Sequence, residues 1–198
     1  IISGAGIDTI TGGSGADNIT AGAGADVIRF TALTDSAGTN VDSIVDFVSA
    51  NDQLSVTLDY SSASSAVDVK ATVTTAQASK SDVETSLTGQ RGQAVYDTGT
   101  SKLYIENSGN SSITSLDYTI AINAAATAAN TIVAGDIDFT INGSSSNDSI
   151  VGGAGVDTID GNGGNDTITG AGGADVIDGD TGDDVFRYTA DSDLFTAG

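Results

Sequence analysis

Aspartates recur every nine residues at both ends of this 198-residue chain. Asp148, Asp157, Asp166, Asp175 and Asp184 form one run, and Asp8, Asp17 and Asp26 form another. Each follows the first position of a glycine-rich hexamer by five residues. Two residues beyond each Asp sits a bulky apolar side chain: Ile150, Ile159, Ile168, Ile177 and Phe186 in one run, Ile10, Ile19 and Ile28 in the other. The clearest copy reads Gly152-Gly153-Ala154-Gly155-Val156-Asp157-Thr158-Ile159-Asp160. This periodicity is the signature of a parallel β-roll. Glycine reaches the backbone conformations that a sharp turn needs, the last three residues make a short strand, and one motif makes half a coil. Aspartates eighteen apart therefore stack, with Asp148, Asp166 and Asp184 on one edge and Asp157 and Asp175 on the other.

Stacked carboxylates need a counter-charge. Strands in a ladder lie ~4.8 Å apart, and two carboxylates at that separation repel by roughly 3 kcal/mol at an effective dielectric of about 20. Ca2+ accepts six to eight oxygens, which the Asp side chains and turn carbonyls can supply. With no His and no Cys in the chain, zinc, copper and iron–sulfur sites lack their usual ligands. Calcium binding is then expected to be coupled to folding. The pairs Asp8/Asp26, Asp148/Asp166, Asp166/Asp184 and Asp157/Asp175 can each be bridged across adjacent turns. Asp17 needs a partner turn upstream of Ile1, or a cap. Asp160 and Asp178, at the last strand position, either add a ligand or stay solvated. Asp42, Asp46 and Asp52 are candidates for a peripheral ion, whereas Asp136 and Asp138 read as surface strand residues.

The 27 acidic residues face only 6 Lys plus Arg, a formal charge of −21. Nucleic acid and anionic membrane surfaces are therefore poor partners. No apolar run approaches the ~20 residues of a membrane span. Without His or Cys the common nucleophile–base sites cannot be built. Glu84 and Glu106 are the only glutamates, and the ten aromatics include no Trp. No enzymatic activity is expected. The absence of Met and of a signal peptide suggests an excerpt of a longer chain.

A second periodicity spans the whole sequence. Asp8, Asp17 and Asp26 map onto Asp166, Asp175 and Asp184 at an offset of 158 (184 − 26). The match continues outside the glycine loops, from Asp26-Val27-Ile28-Arg29-Phe30-Thr31-Ala32 to Asp184-Val185-Phe186-Arg187-Tyr188-Thr189-Ala190. Such an offset implies tandem units. The organisation expected is the end of a roll over 1–30, a β-rich segment over 31–142, a second roll over 143–188 and the start of the next unit over 189–198. In the middle, alternation predicts strands over Gln53–Leu58, Gln93–Asp97, Lys102–Glu106, Tyr118–Ile122 and Ile137–Ile141. A hairpin turn falls at Thr98–Ser101, and a short helix is expected around Ala76–Leu87. Asn18, Asn142, Asn147 and Asn165 fall in Asn-x-Ser/Thr triplets, but asparagine in a tight turn is the simpler reading.

The repeats resemble those of the RTX (haemolysin-type) calcium-binding family. Ile44-Val45-Asp46-Phe47 with Asp52-Gln53-Leu54 is similar to the D-F-x-x-G-x-D-x-L stretch that follows the roll in serralysin-like C-terminal domains. Here Ser49-Ala50-Asn51 stands where a Gly is usual, so Asn51 is expected in the left-handed turn position. Residues 93–110 resemble the hairpin of the same domains, with Glu106 and Ser108 in place of its paired Asp residues. The resemblance implies an all-β fold of calcium-bound parallel β-rolls flanking a β-rich segment, with type I secretion and folding triggered by calcium outside the cell. The tandem units and the Ser/Thr/Ala-rich composition look like a bacterial surface-layer or filament protein at the cell surface, partnered by copies of itself. The alternative is a binding module of a large RTX adhesin or of a secreted polysaccharide-modifying enzyme, with cell-surface polysaccharide as the partner.

Overall fold

The computed structural model describes residues 1–77, 91–97, 99–108, 117–122 and 132–189. Among these, regular structure is strand apart from two short 3-10 turns, Leu33–Asp35 and Ala134–Asp136. The strands are β1 (Ile2–Ala5), β2 (Thr9–Thr11), β3 (Asn18–Ala23), β4 (Val27–Phe30), β5 (Asp42–Ile44), β6 (Gln53–Asp59), β7 (Asp68–Gln77) and β8 (Arg91–Asp97). They continue with β9 (Lys102–Ile105), β10 (Tyr118–Ile122), β11 (Ile137–Asn142), β12 (Ser149–Gly153), β13 (Thr158–Asp160), β14 (Thr167–Ala171), β15 (Val176–Asp178) and β16 (Val185–Phe186).

Successive strands alternate between two sheets, as half-coil motifs require. The six-stranded sheet runs β2-β4-β6-β11-β13-β15 with every pair parallel. The ten-stranded sheet runs β1-β3-β5-β10-β9-β8-β7-β12-β14-β16. Both sheets pass through the middle of the chain without a break, so the two rolls and the β-rich segment share one stack. The asymmetry comes from β8, β9 and β10, which lie between β5 and β7 and contain the antiparallel pairs β8/β9 and β9/β10. The chain enters its second roll through β7, whose Val69 is in register with Ile150 of β12.

The five middle strands expected from alternation are all present, β6, β8, β9, β10 and β11, and β8 and β9 form the expected hairpin. The helix expected around Ala76–Leu87 is not supported where it can be seen, because Ala76 and Gln77 belong to β7; residues 78–87 lie outside the described residues. Asn51 does not take a left-handed conformation. Its N–H and that of Asp52 both reach the Val48 carbonyl (2.8 Å each), a tight right-handed turn that needs no glycine.

The interior is a ladder of apolar residues, with at least one from most strands and up to three from β6, β10 and β11. Ile10, Ile28, Leu54, Ile141 and Ile159 are buried from the six-stranded side, and Ile19, Ile44, Ile150 and Ile168 from the other. Ile177 is only partly buried and Phe186 stays 45 % exposed, because β15 and β16 are the outermost strands of their sheets. Phe30 meets Tyr118 edge-to-face at 6.5 Å. The Tyr118 hydroxyl donates to the Thr57 carbonyl (2.6 Å), tying the inserted strands to the six-stranded sheet. Leu54 lies between Ile28 and Ile137 in the ladder. Its truncation should expose a cavity: Leu54→Ala is expected to cost about 2–5 kcal/mol in urea unfolding at saturating Ca2+. Val45→Ala, at a half-exposed site, should stay within about 0.5 kcal/mol.

Candidate metal centre

Most of the turn aspartates are fixed by the coil beside them. On the six-stranded side the Asp8 N–H donates to Asp26 Oδ1 (2.9 Å), and the Asp26 N–H donates to Asp52 Oδ1 (3.1 Å). Further along, Phe139 N–H donates to Asp157 Oδ1 (2.7 Å) and Asp157 N–H to Asp175 Oδ1 (3.0 Å). On the ten-stranded side Asp17 N–H donates to Asp42 Oδ1 (2.8 Å). Val67, Asp148 and Asp166 donate in the same way to Asp148, Asp166 and Asp184 (2.7, 2.7 and 3.0 Å). One carboxylate oxygen thus replaces a ladder acceptor, and the aspartates fall into columns, two on each side. A lesser column runs alongside: Asn165 N–H donates to Asn147 Oδ1 and Asp183 N–H to Asn165 Oδ1. That gives Asn147 and Asn165 the turn role expected of them.

The second oxygen separates the aspartates. Asp17, Asp26, Asp42, Asp157 and Asp166 each hold a buried Oδ2 with no hydrogen-bond partner. Leaving a buried anionic oxygen unpaired is costly, and a cation removes that cost. Close packing supports the same reading. A Cβ at Gly152 would lie 2.6 Å from Asp157 Oδ2 and 2.8 Å from the Gly170 carbonyl, so a carboxylate and a carbonyl from adjacent coils converge there. At Gly12 a Cβ would meet Oδ2 of both Asp17 (2.9 Å) and Asp42 (3.2 Å). Only glycine admits this oxygen crowding. Hard oxygens without nitrogen or sulfur suit calcium. No group of three or more carboxylates gathers among the described residues, so backbone carbonyls must supply much of any coordination shell.

Other candidates are differently engaged. Asp46 accepts from Ala21 N–H and Gly22 N–H (2.8 and 2.9 Å), and Asp52 accepts a second bond from Val48 N–H (2.8 Å). Asp148 takes the Ser144 N–H and hydroxyl besides that of Val67. Asp160 and Asp178 accept from the N–H two residues on, at Asn162 and Asp180. Asp136 is not a surface residue: it is buried, accepting from Val133 N–H and the Ser49 hydroxyl (2.8 and 2.7 Å). Asp138 is half-buried on β11 and receives Val156 N–H (2.7 Å). Spacing concealed one partner of Asp17: its N–H donates to Asp42, twenty-five residues downstream. The signal was the Asp42-Ser43-Ile44 triplet, which repeats the D-x-U end of the motif without its glycine hexamer.

Burial shapes the charge state. Desolvation pushes the Asp157 carboxyl up to about 7, and the Asp175 and Asp138 charges add to it. Desolvation likewise lifts Asp42 to about 6, with Asp17 and Asp35 contributing. Asp52 and Asp166 are raised for the same leading reason. A raised folded-state value means that the proton stabilises the metal-free fold at low pH. That contribution is lost as pH rises through about 6 for Asp42 and about 7 for Asp157. Calcium needs the ionised form, so the dependence inverts once it binds.

The family model for the RTX calcium-binding nonapeptide repeat (4 copies) matches the chain at residues 1–35, 140–168, 151–186 and 160–195. No curated protein matches the chain. The matched stretches hold both sets of repeats, while Asp42 and Asp52, which extend the columns, lie outside them.

Two outcomes check this site. Asp157→Asn should lower the number of Ca2+ ions bound per chain in equilibrium dialysis, whereas Asp46→Asn should leave that number unchanged. Between pH 7.5 and 5.5 the calcium midpoint for folding should not rise, because the unfolded and the calcium-bound aspartates are both ionised there and no proton is exchanged; it should climb only as pH falls toward about 4. Over the same range the metal-free chain should gain structure.

Proposed function

Because the chain is an RTX repeat protein whose nonapeptide repeats bind calcium, we propose that it serves as a calcium-dependent structural tile of an extracellular bacterial surface layer or filament. The observation that carries this reading is the uninterrupted stack. Two sets of calcium repeats and the segment between them share the same two sheets, so ions in the turns stiffen one continuous body. Both ends of the stack present apolar side chains: Ile2 and Ile7 are 82 % and 81 % exposed at one end, Val176 and Tyr188 each 61 % at the other. Such ends favour stacking against further coils. Partners are copies of the same unit, and no catalytic step is assigned to the chain. No helix among the described residues is long and apolar enough to cross a membrane.

Export by type I secretion accords with this role: a chain held unfolded by its own carboxylates at low calcium would fold outside the cell. The test is static light scattering of the calcium-loaded chain across protein concentration. Growth from monomer to extended particles, reversed by chelator, is the expected result. A monodisperse monomer at all concentrations would favour a binding module of an adhesin.

A further inference from the structure

The 158-residue offset relates strands that lie on opposite sheets. Asp26-Val27-Ile28 belongs to β4 of the six-stranded sheet, while its repeat Asp184-Val185-Phe186 leads into β16 of the ten-stranded sheet. The same exchange holds for β3, on the ten-stranded side, and its repeat β15, on the other. An odd number of half-coils therefore separates equivalent residues, from β4 through β5, β6, β7 and then β11 to β16 on alternating sides, with β8–β10 as an excursion within one sheet.

What covers the first copy is also visible. Ile28 and Phe30 of β4 are 0 % and 1 % exposed because β6 pairs with them, Ile28 opposite Leu54 and Phe30 opposite Val56. Ile19 of β3 is buried beside Ile44 of β5. Among the described residues no strand covers their repeats Phe186, Tyr188 and Ile177, which line one shallow apolar pocket with Val176. From these two observations we propose that successive units of a tandem array are turned by half a revolution about the roll axis. The occupant of the pocket is the next copy of residues 42–59, its β5 strand beside β15 and its β6 strand beside β16.

This rests on the tandem reading of the function and adds a geometry to it. The strands β8, β9 and β10 widen one side of a unit by three strand spacings, about 14 Å. With a half-turn per unit the next insertion widens the opposite side. The surplus cancels over each pair of units, so the array runs straight where units of fixed orientation would curve one way.

The chain has no Cys, so engineered pairs report without background. In a two-unit chain made by joining residues 31–188 again after Tyr188, Gln53→Cys in the second unit is combined with either Val185→Cys or Val176→Cys in the first. Neighbouring strands bring Cα atoms within the range that a disulfide needs. Val27→Cys with Gln53→Cys, in register within the first unit, is the positive control. Closure with position 185 and not with 176 is the expected result in calcium. Closure with 176 instead would overturn the half-turn and leave tandem stacking standing. If neither pair closes while the control does, both the half-turn and the tandem reading fall.

Discussion

Like charges stacked at strand spacing are the constraint on which the rest of this structure depends. A parallel roll repeats each residue type directly above itself, so an aspartate placed at one turn is placed at all of them. The backbone answers half of the problem: along the columns an Oδ1 takes an N–H from the adjacent coil, as Asp166 does from Asp148. The other half remains in the buried Oδ2 atoms of Asp17, Asp26, Asp42, Asp157 and Asp166. Among the described residues no Lys or Arg hydrogen-bonds to these oxygens, and the formal charge of −21 leaves few to spare. A divalent cation between coils supplies the missing positive charge, and Gly12, Gly152 and Gly161 leave room beside these oxygens.

The same repetition explains how little of the stability resides in side chains alone. Each half-coil contributes one inward apolar residue, such as Ile150, Ile159 or Ile168, and spends six residues on a turn. The middle segment is richer, with Phe47, Leu58, Tyr118 and Ile122 buried in the same cluster. It shares both sheets with the rolls, so its packing and the calcium turns support one another.

Where the sequence kept its period, residues read directly into structure. The nine-residue spacing placed Asp148, Asp166 and Asp184 in one column and Asp157 and Asp175 in the other, and alternation located β6 and β8–β11. Legibility failed where the period was interrupted by loops of arbitrary length. Asp42 stacks on Asp17 across twenty-five residues, and β7 stacks on β12 across the whole insertion; neither separation carries a local signal. Asp136 looked exposed because strand alternation says nothing of a 3-10 turn beneath it, where Ser49 and Val133 claim its carboxylate. Asn51 inherited an expectation from the glycine it replaces, yet the backbone found a right-handed turn instead.

The central claim is that cation binding and folding are one event. Far-UV circular dichroism of the metal-free chain, titrated with Ca2+ from zero to ~10 mM and with Mg2+ in parallel, tests it most directly, since extracellular calcium modules bind at about 10⁻⁴–10⁻³ M. The account predicts a coil spectrum that turns to β with calcium and not with magnesium, whose small, strongly hydrated ion demands near-octahedral geometry. A β spectrum already complete in chelator at neutral pH, unchanged by calcium, would contradict it.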